Sequence, residues 1–394
     1  MILAISSRTI GSDLNLIFDG SEWSWSKNFP KESLLWGFED YRDLRDAASS
    51  LKLDIPEFWN TPWGNAQSHV QKKFSYVKWQ HALPVSQWKD IVTRLVDQLW
   101  RHFSCEDNSY YVSTHIRNRR ITQGLSRPIV SDALCREKID SAKNGKRGLV
   151  ERFLPIDDGK PERSIYSFSN TVTGRMTIKK GPNILTLKKE DRNILKSRFK
   201  NGKLIEIDLQ SAEPRVALSM FDKHIDGDIY SEIIKSLGMN ITRDISKIAT
   251  ISALYGASHH ALSSHVSNSS DAMKIIDSVK EYFGVRHLEK MIIDQHSENS
   301  YITNTHGRKI FSESASVNHL IQSSTVDVAF DVFELIIGKI KELKIDAVPV
   351  YIIHDAIIFD AREKDLEKIY KICEDGFVSK TVKTRFPVKI KEIE

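Results

Sequence analysis

Three short stretches of this 394-residue chain carry side chains whose types and spacing suit chemistry on phosphates. In the first, Leu204, Ile205 and Ile207 form an apolar run that reads as a buried strand ending at Asp208. A carboxylate at the end of a core strand is costly unless a metal or another partner takes its charge. Ser211, Ala212 and Glu213 then read as the start of a helix, with Pro214 tolerated in its first turn and Arg215 following. In the second stretch Thr242 is a helix N-cap and Gly256 a stop. At about 100° per residue, Arg243, Lys247, Ile251 and Tyr255 share one face of that helix. Two cations, an aliphatic side chain and a ring suit a triphosphate, a sugar and a base. In the third, apolar arms over 348–353 and 356–359 flank His354-Asp355, which places those two residues at the tip of a hairpin.

The order acid, cations, acid is what two-metal phosphoryl or nucleotidyl transfer requires. Two Mg²⁺ ions about 3.5–4 Å apart are bridged by carboxylates while separate cations hold the phosphates. Each stretch alone has a plainer reading: an acid that ends a strand, a solvated Arg/Lys face, an acidic turn. Together they supply two strand-borne carboxylates and one cationic helix.

The three stretches resemble the motifs of family A, the DNA polymerase I-like DNA polymerases. Motif A (Asp, four residues, Glu, one residue, Arg) is matched by Asp208, Glu213 and Arg215. Motif B (Arg, three, Lys, three, aromatic, three, Tyr-Gly) is matched by Arg243, Lys247, Tyr255 and Gly256, with Ile251 at the aromatic position. Motif C (His-Asp-Glu) is matched by His354 and Asp355, with Ala356 in place of Glu. Thr173-Gly174-Arg175 with Gly181-Pro182-Asn183 resembles the element that binds primer-template ahead of motif A. Thr305 to Arg308, Asn318 and Gln322 to Asp327 resemble the segments between the fingers and motif C. The likeness covers roughly residues 165–394, and further departures are Ser211 for Gln and Tyr230 for His.

The resemblance implies an α+β fold, a right-hand polymerase with an antiparallel-sheet palm, helical fingers, a reduced helical thumb and a small N-terminal module. It implies a Trp-rich module over 1–85, a thumb-like region over 86–165, palm over 166–221, fingers over 222–300 and palm again over 301–394. Asp208, Asp355 and the Leu209 backbone carbonyl would hold two Mg²⁺, with Mn²⁺ able to substitute. Arg243, Lys247, Ile251, Tyr255, Glu213 and Tyr230 would meet the dNTP, and Lys247 would also act in catalysis. Arg175, Asn318, Gln322, His354, Arg215 and Arg308 would meet DNA. Glu213 beneath the sugar would block a 2′-hydroxyl, which separates this reading from a single-subunit RNA polymerase-like enzyme. Ile251 and Ala356 leave open a third reading, an inactive polymerase-like DNA-binding protein. Expected partners are primer-template DNA and dNTPs, with the N-terminal module a place for a processivity, helicase or primase partner.

Composition agrees. No apolar run approaches the ~20 residues of a membrane span, and Cys105, Cys135 and Cys373 are scattered with no CxxC pair. These features, with no signal-peptide pattern at the start, lead to the expectation of a cytoplasmic protein. From Gly174 to Lys203 there are ten Lys/Arg against two acids, a patch suited to phosphate backbone. All eight tryptophans fall at or before Trp100, a composition shift that marks a separate N-terminal module. There Leu14–Phe18 and Ser33–Gly37 are expected strands and Asp40–Leu51 an expected helix. Asp19 and Glu22 have the wrong spacing for the Asp-x-Glu of a proofreading exonuclease. From Val85 the pattern turns helical, with Trp88, Ile91, Leu95 and Leu99 on one face and a basic loop (Arg117, Arg119, Arg120, Lys143, Lys146, Arg147) beyond. Ala315 to Leu343 reads as one long amphipathic helix.

Overall fold

A computed structural model describes residues 2–7, 10, 12–19, 21–30, 33–36, 83–104, 106–141, 147–168, 170–256, 260–266 and 269–393, with isolated positions 62, 65, 66, 69 and 80. The chain forms two compact units, Met1–Ile116 and Arg117–Glu394.

In the first unit β1 (Ile2–Ile5), β2 (Asn15–Phe18), β3 (Trp23–Ser26) and β4 (Ser33–Trp36) form a sheet in the order β3-β2-β1-β4. The pairing is antiparallel except for β1 with β4. Helix α1 (Val85–Ser104) belongs to this unit. Its expected apolar face is buried through Trp88, Ile91, Leu95 and Leu99. The Trp88 indole donates to the Ile10 carbonyl at 3.1 Å and stacks on Trp25, with centroids 5.5 Å apart. The first half of the segment expected to be thumb is therefore the packing partner of the N-terminal sheet. The division between the two units falls inside α2 (Glu106–Gln123). The helix expected over Asp40–Leu51 lies outside the described residues.

The second unit is built on a four-stranded sheet in the order β12 (Ala347–Ile353), β13 (Ala356–Arg362), β9 (Gly202–Leu209), β16 (Val388–Ile393), antiparallel throughout. Ahead of the sheet come β5 (Ile129–Val130), α3 (Asp132–Ser141), α4 (Arg147–Glu151), β6 (Ile165–Ser167), β7 (Thr177–Lys180) and β8 (Leu195–Lys196). Strand β9 (Gly202–Leu209) is central and runs into α5 (Ala212–Ser219). A mostly helical segment follows: α6 (Ile229–Leu237), α7 (Arg243–Tyr255), α8 (His260–Ser263), α9 (Ser269–Tyr282) and α10 (Val285–Asn299). It has its own core around Ile233, Ala253, Val279, Phe283 and Leu288. After the β10 (Ile302–Thr303) and β11 (Lys309–Ile310) pair comes α11 (Val317–Glu342), within two residues of its expected bounds at each end. Its Val328, Phe330, Val332 and Phe333 join the sheet's Ile205, Ile207, Ile357 and Phe359 in the main core. Then β12 (Ala347–Ile353) and β13 (Ala356–Arg362) form the expected hairpin. Last come α12 (Leu366–Cys373), β14 (Phe377–Val378), β15 (Arg385–Phe386) and β16 (Val388–Ile393). Among the described residues no helix is long and apolar enough to cross a membrane.

Candidate active site

Period-2 alternation sets the acidic end of the sheet. Along β9, Ile205, Ile207 and Leu209 enter the core, which sends Glu206 and Asp208 to the other face. In register, Asp208 opposes Ala356, the residue after the hairpin tip. The tip closes in two residues, with His354 held at a φ of 53°. The Leu209 N–H donates to the Asp355 carbonyl at 3.1 Å, so the tip is fastened to the end of β9. Two carboxylates from distant parts of the chain thereby share one sheet end. Burial, and then the Asp208 charge, pushes Asp355 up to about 6. Burial also raises Asp208, against the pull of Lys391. That lysine, on β16, lies 3.6 Å from Asp208 and 3.8 Å from Glu206. Partial burial and the Arg175 and Arg192 charges hold His354 below its ordinary value.

A second cluster lies on α5 and α7. The Tyr255 hydroxyl donates to both Glu213 oxygens, at 2.6 and 2.7 Å. Burial and the Glu213 carboxylate push that phenol up to about 12, so it stays a donor at neutral pH. Gln322, from α11, bonds the same hydroxyl. Arg175 approaches Glu213 at 4.0 Å and reaches Asp355 with its field. Nearby on α11 the Asn318 side-chain oxygen is buried with no protein partner.

The α7 stripe forms as expected: Thr242 caps it through the Ile245 N–H, and Gly256 ends it at a φ of 65°. Lys247 has no ion-pair partner among the described residues, and Ile251 is 41% exposed. Arg243 is engaged. Its Nε and Nη2 donate to the two Asp228 oxygens at 3.0 and 2.6 Å, and its guanidinium lies 5.1 Å over the Tyr230 ring.

The model of DNA polymerase family A matches residues 157–392. The chain belongs to DNA polymerase family A. No curated protein matches it in sequence. Among solved structures, it resembles the POL domain of Pol1 from M. smegmatis in complex with DNA primer-template and dNTP. The identity is 12% and the TM-score 0.65, over 99% of this chain and 94% of that one. The fold is the α+β polymerase domain expected from the motifs.

Several expected ligand contacts of this family A chain are absorbed by its own structure. Arg215 is 3% exposed; it donates to the carbonyls of Gln210 (3.2 Å), Gly227 (2.6 Å) and Ile225. It ties the start of α5 to the loop before α6. Arg308 is also buried, bidentate on Asp327 at 3.0 and 2.8 Å. Its guanidinium lies so close to Gly174 (φ +72°) that a Cβ there would sit 2.4 Å from Nη1. Arg308 thus lies against the Thr173-Gly174-Arg175 turn and pairs with Asp327. Tyr230, 5% exposed, bonds Ser211 through its hydroxyl. It meets Arg243 by its ring. Two residues stand out that motif reading did not assign. Lys391 is legible as part of the alternating Lys389, Lys391 pair on an edge strand. Asp228 is the N-cap of α6, accepting from the Ser231 N–H at 2.9 Å, a signal that names a cap and not a partner for α7.

Proposed function

We propose that the chain is a template-directed DNA polymerase that adds dNTPs to a primer 3′-hydroxyl by two-metal nucleotidyl transfer, without proofreading. The observation that carries the reading is the fastening of Asp355 to the end of β9 beside Asp208. Their raised pKa values mark negative charge without enough compensation, and hard oxygen donors suit Mg²⁺. Asp208, Asp355 and the Leu209 carbonyl would hold the ions. When bound, Mg²⁺ would acidify the 3′-hydroxyl and stabilise the leaving pyrophosphate.

The rest is the work of the chain's own residues. Lys247, with Arg243 once it is released, binds the triphosphate and offsets the charge that grows in transfer. Glu213, fixed by Tyr255, stands where a 2′-hydroxyl would have to enter. Ile251 supplies an apolar contact to the sugar in place of a stacked ring. Arg175, Asn318 and Gln322 meet the primer terminus and the minor-groove acceptors that every correct pair presents. Neutral His354 lies at the hairpin tip beside the primer end. The absence of proofreading fits Asp19: its carboxylate accepts the Ser21 and Glu22 N–H groups at 2.8 Å and closes a turn of its own.

Extension of a labelled primer on a DNA template, with Mg²⁺ and with dNTPs and NTPs in parallel, tests the reading beside Asp355→Ala. Extension with dNTPs only, lost in the variant, is the expected result. Extension with NTPs alone would favour an RNA polymerase. Bound primer-template with no extension would make the chain a DNA-binding protein.

A further inference from the structure

Asp228 and Arg243 form an ion pair at the place where the triphosphate reading needs a free cation. The pair is side-on and bidentate: Nε to Oδ2 at 3.0 Å and Nη2 to Oδ1 at 2.6 Å. Asp228 is itself fixed, because Oδ2 also accepts the Ser231 N–H at 2.9 Å and the Ser231 hydroxyl at 2.7 Å. Tyr230, the next residue but one, carries the guanidinium on its ring. Arg243 is therefore held on three sides by the start of α6, although its side chain is 51% exposed. Lys247, one turn along the same face, has no such partner among the described residues. The two cations of the stripe are unequal: one is available and one is neutralised.

We propose that Asp228 is a latch on Arg243, a positioning residue that withholds this cation until a triphosphate displaces the carboxylate. The proposal rests on the reading of Arg243 as a triphosphate ligand. A guanidinium fork fits carboxylate and phosphate alike, so the exchange needs no change of geometry at Arg243, only a closer competitor. A nucleotide that pairs with the template brings its triphosphate to α7 and completes the exchange. One that pairs badly holds its triphosphate out of register and leaves Arg243 on Asp228. The latch thus converts part of the binding free energy of every dNTP into a test of fit.

Steady-state single-nucleotide incorporation by the full chain, correct and mismatched, tests this in wild type, Asp228→Asn, Arg243→Ala and the double variant. Asn keeps the α6 cap, so the substitution removes charge and leaves the helix start intact. The latch predicts that KM for the correct dNTP falls about three- to fivefold in Asp228→Asn, the scale of a half-exposed ion pair, with kcat unchanged. Mismatched incorporation rises by a larger factor, and neither effect appears when Arg243 is already Ala. A KM that rises or stays the same in Asp228→Asn overturns the proposal, because the pair then orients Arg243 and does not withhold it. Wild type that fails to incorporate any dNTP defeats the underlying reading of function instead.

Discussion

At the residue scale the site is a set of charges that the fold prevents from cancelling. Asp208 has one lysine at 3.6 Å, and Asp355 is half-buried beside it. Asp208→Asn or Asp355→Asn should lower kcat by at least about a hundredfold, the scale of one lost preorganised charge in a transfer site. Primer-template affinity should be unchanged, and a fall of less than threefold would remove these carboxylates from the chemistry. The Glu213–Tyr255 contact gives a finer test. A hydrogen bond to a charged group contributes roughly 1.5–3 kcal/mol, and here one hydroxyl fixes both carboxylate oxygens. In Tyr255→Phe the Glu213 carboxylate is free to rotate, and discrimination between dNTP and NTP should fall about tenfold. The ratio of kcat/KM for the two substrates measures it, and an unchanged ratio would mean that the carboxylate gates without the tyrosine. Candidate residues could be named from the sequence because acids able to hold a metal and cations able to hold a phosphate have few substitutes. Side-chain partners could not. Arg215 and Arg308 fit the motifs by type, yet each had acceptors within the fold that no spacing rule reveals.

Elements were legible where the chain carries local stop and start signals. Thr242, Gly256 and the two-residue tip at His354-Asp355 fixed their helix and hairpin, because caps and turns depend on neighbours in sequence. Helix α1 shows the limit: an apolar stripe tells that a face is buried and not against what, so its packing on the N-terminal sheet was not readable. The same holds for the buried network against the Thr173-Gly174-Arg175 turn. Asp327, fully buried on α11, accepts from Arg308, from Asn304 at 2.8 Å and from Asn118 of α2 at 2.7 Å. Burial works against its charge, but the Arg308 cation and these donors outweigh it and hold the carboxyl far below the usual range. Asp327→Ala removes the carboxylate that the buried Arg308 pairs with, which should cost about 3–5 kcal/mol and lower Tm by roughly 10 °C. The folded-state pKa is depressed, so this contribution is complete above the unfolded value near ~3.9 and is lost only as pH falls below it. The gap in stability between wild type and variant should therefore be flat from pH 6 to 8 and shrink in acid. Gly174→Ala acts on the same support from above: strain at positive φ and contact with Arg308 should cost about 1–3 kcal/mol. It should weaken primer-template binding by displacing Arg175, and a Kd equal to wild type would show that the turn has room.

At the scale of the molecule, charge was the least reliable guide. The ten cations between Gly174 and Lys203 suggest a continuous patch, but half of them are spent inside the protein. Arg192 pairs with Glu206, Arg198 with Asp360, Lys203 with Glu392, Lys188 with Glu190, and Lys180 with Glu162. Arg175 stands near Glu213, and Lys179, Lys189, Lys196 and Lys200 have no ion pair among the described residues. A pairing of this kind follows from which strands lie side by side, as when β16 brings Glu392 across to Lys203, and is invisible to a count along the chain. It changes what DNA binding should look like. Each phosphate neutralised adds about −0.9 to the slope of log affinity against log salt, so the four lysines together contribute at most about −3.6. Replacing all four by Gln should flatten the measured slope by roughly 2 to 3.6 for duplex primer-template. Replacing Lys188 and Lys203 by Gln should leave it within about 0.5, because their charge is already met by Glu190 and Glu392. Equal changes from the two sets would mean that DNA breaks the internal pairs and reads the patch as the sequence displays it.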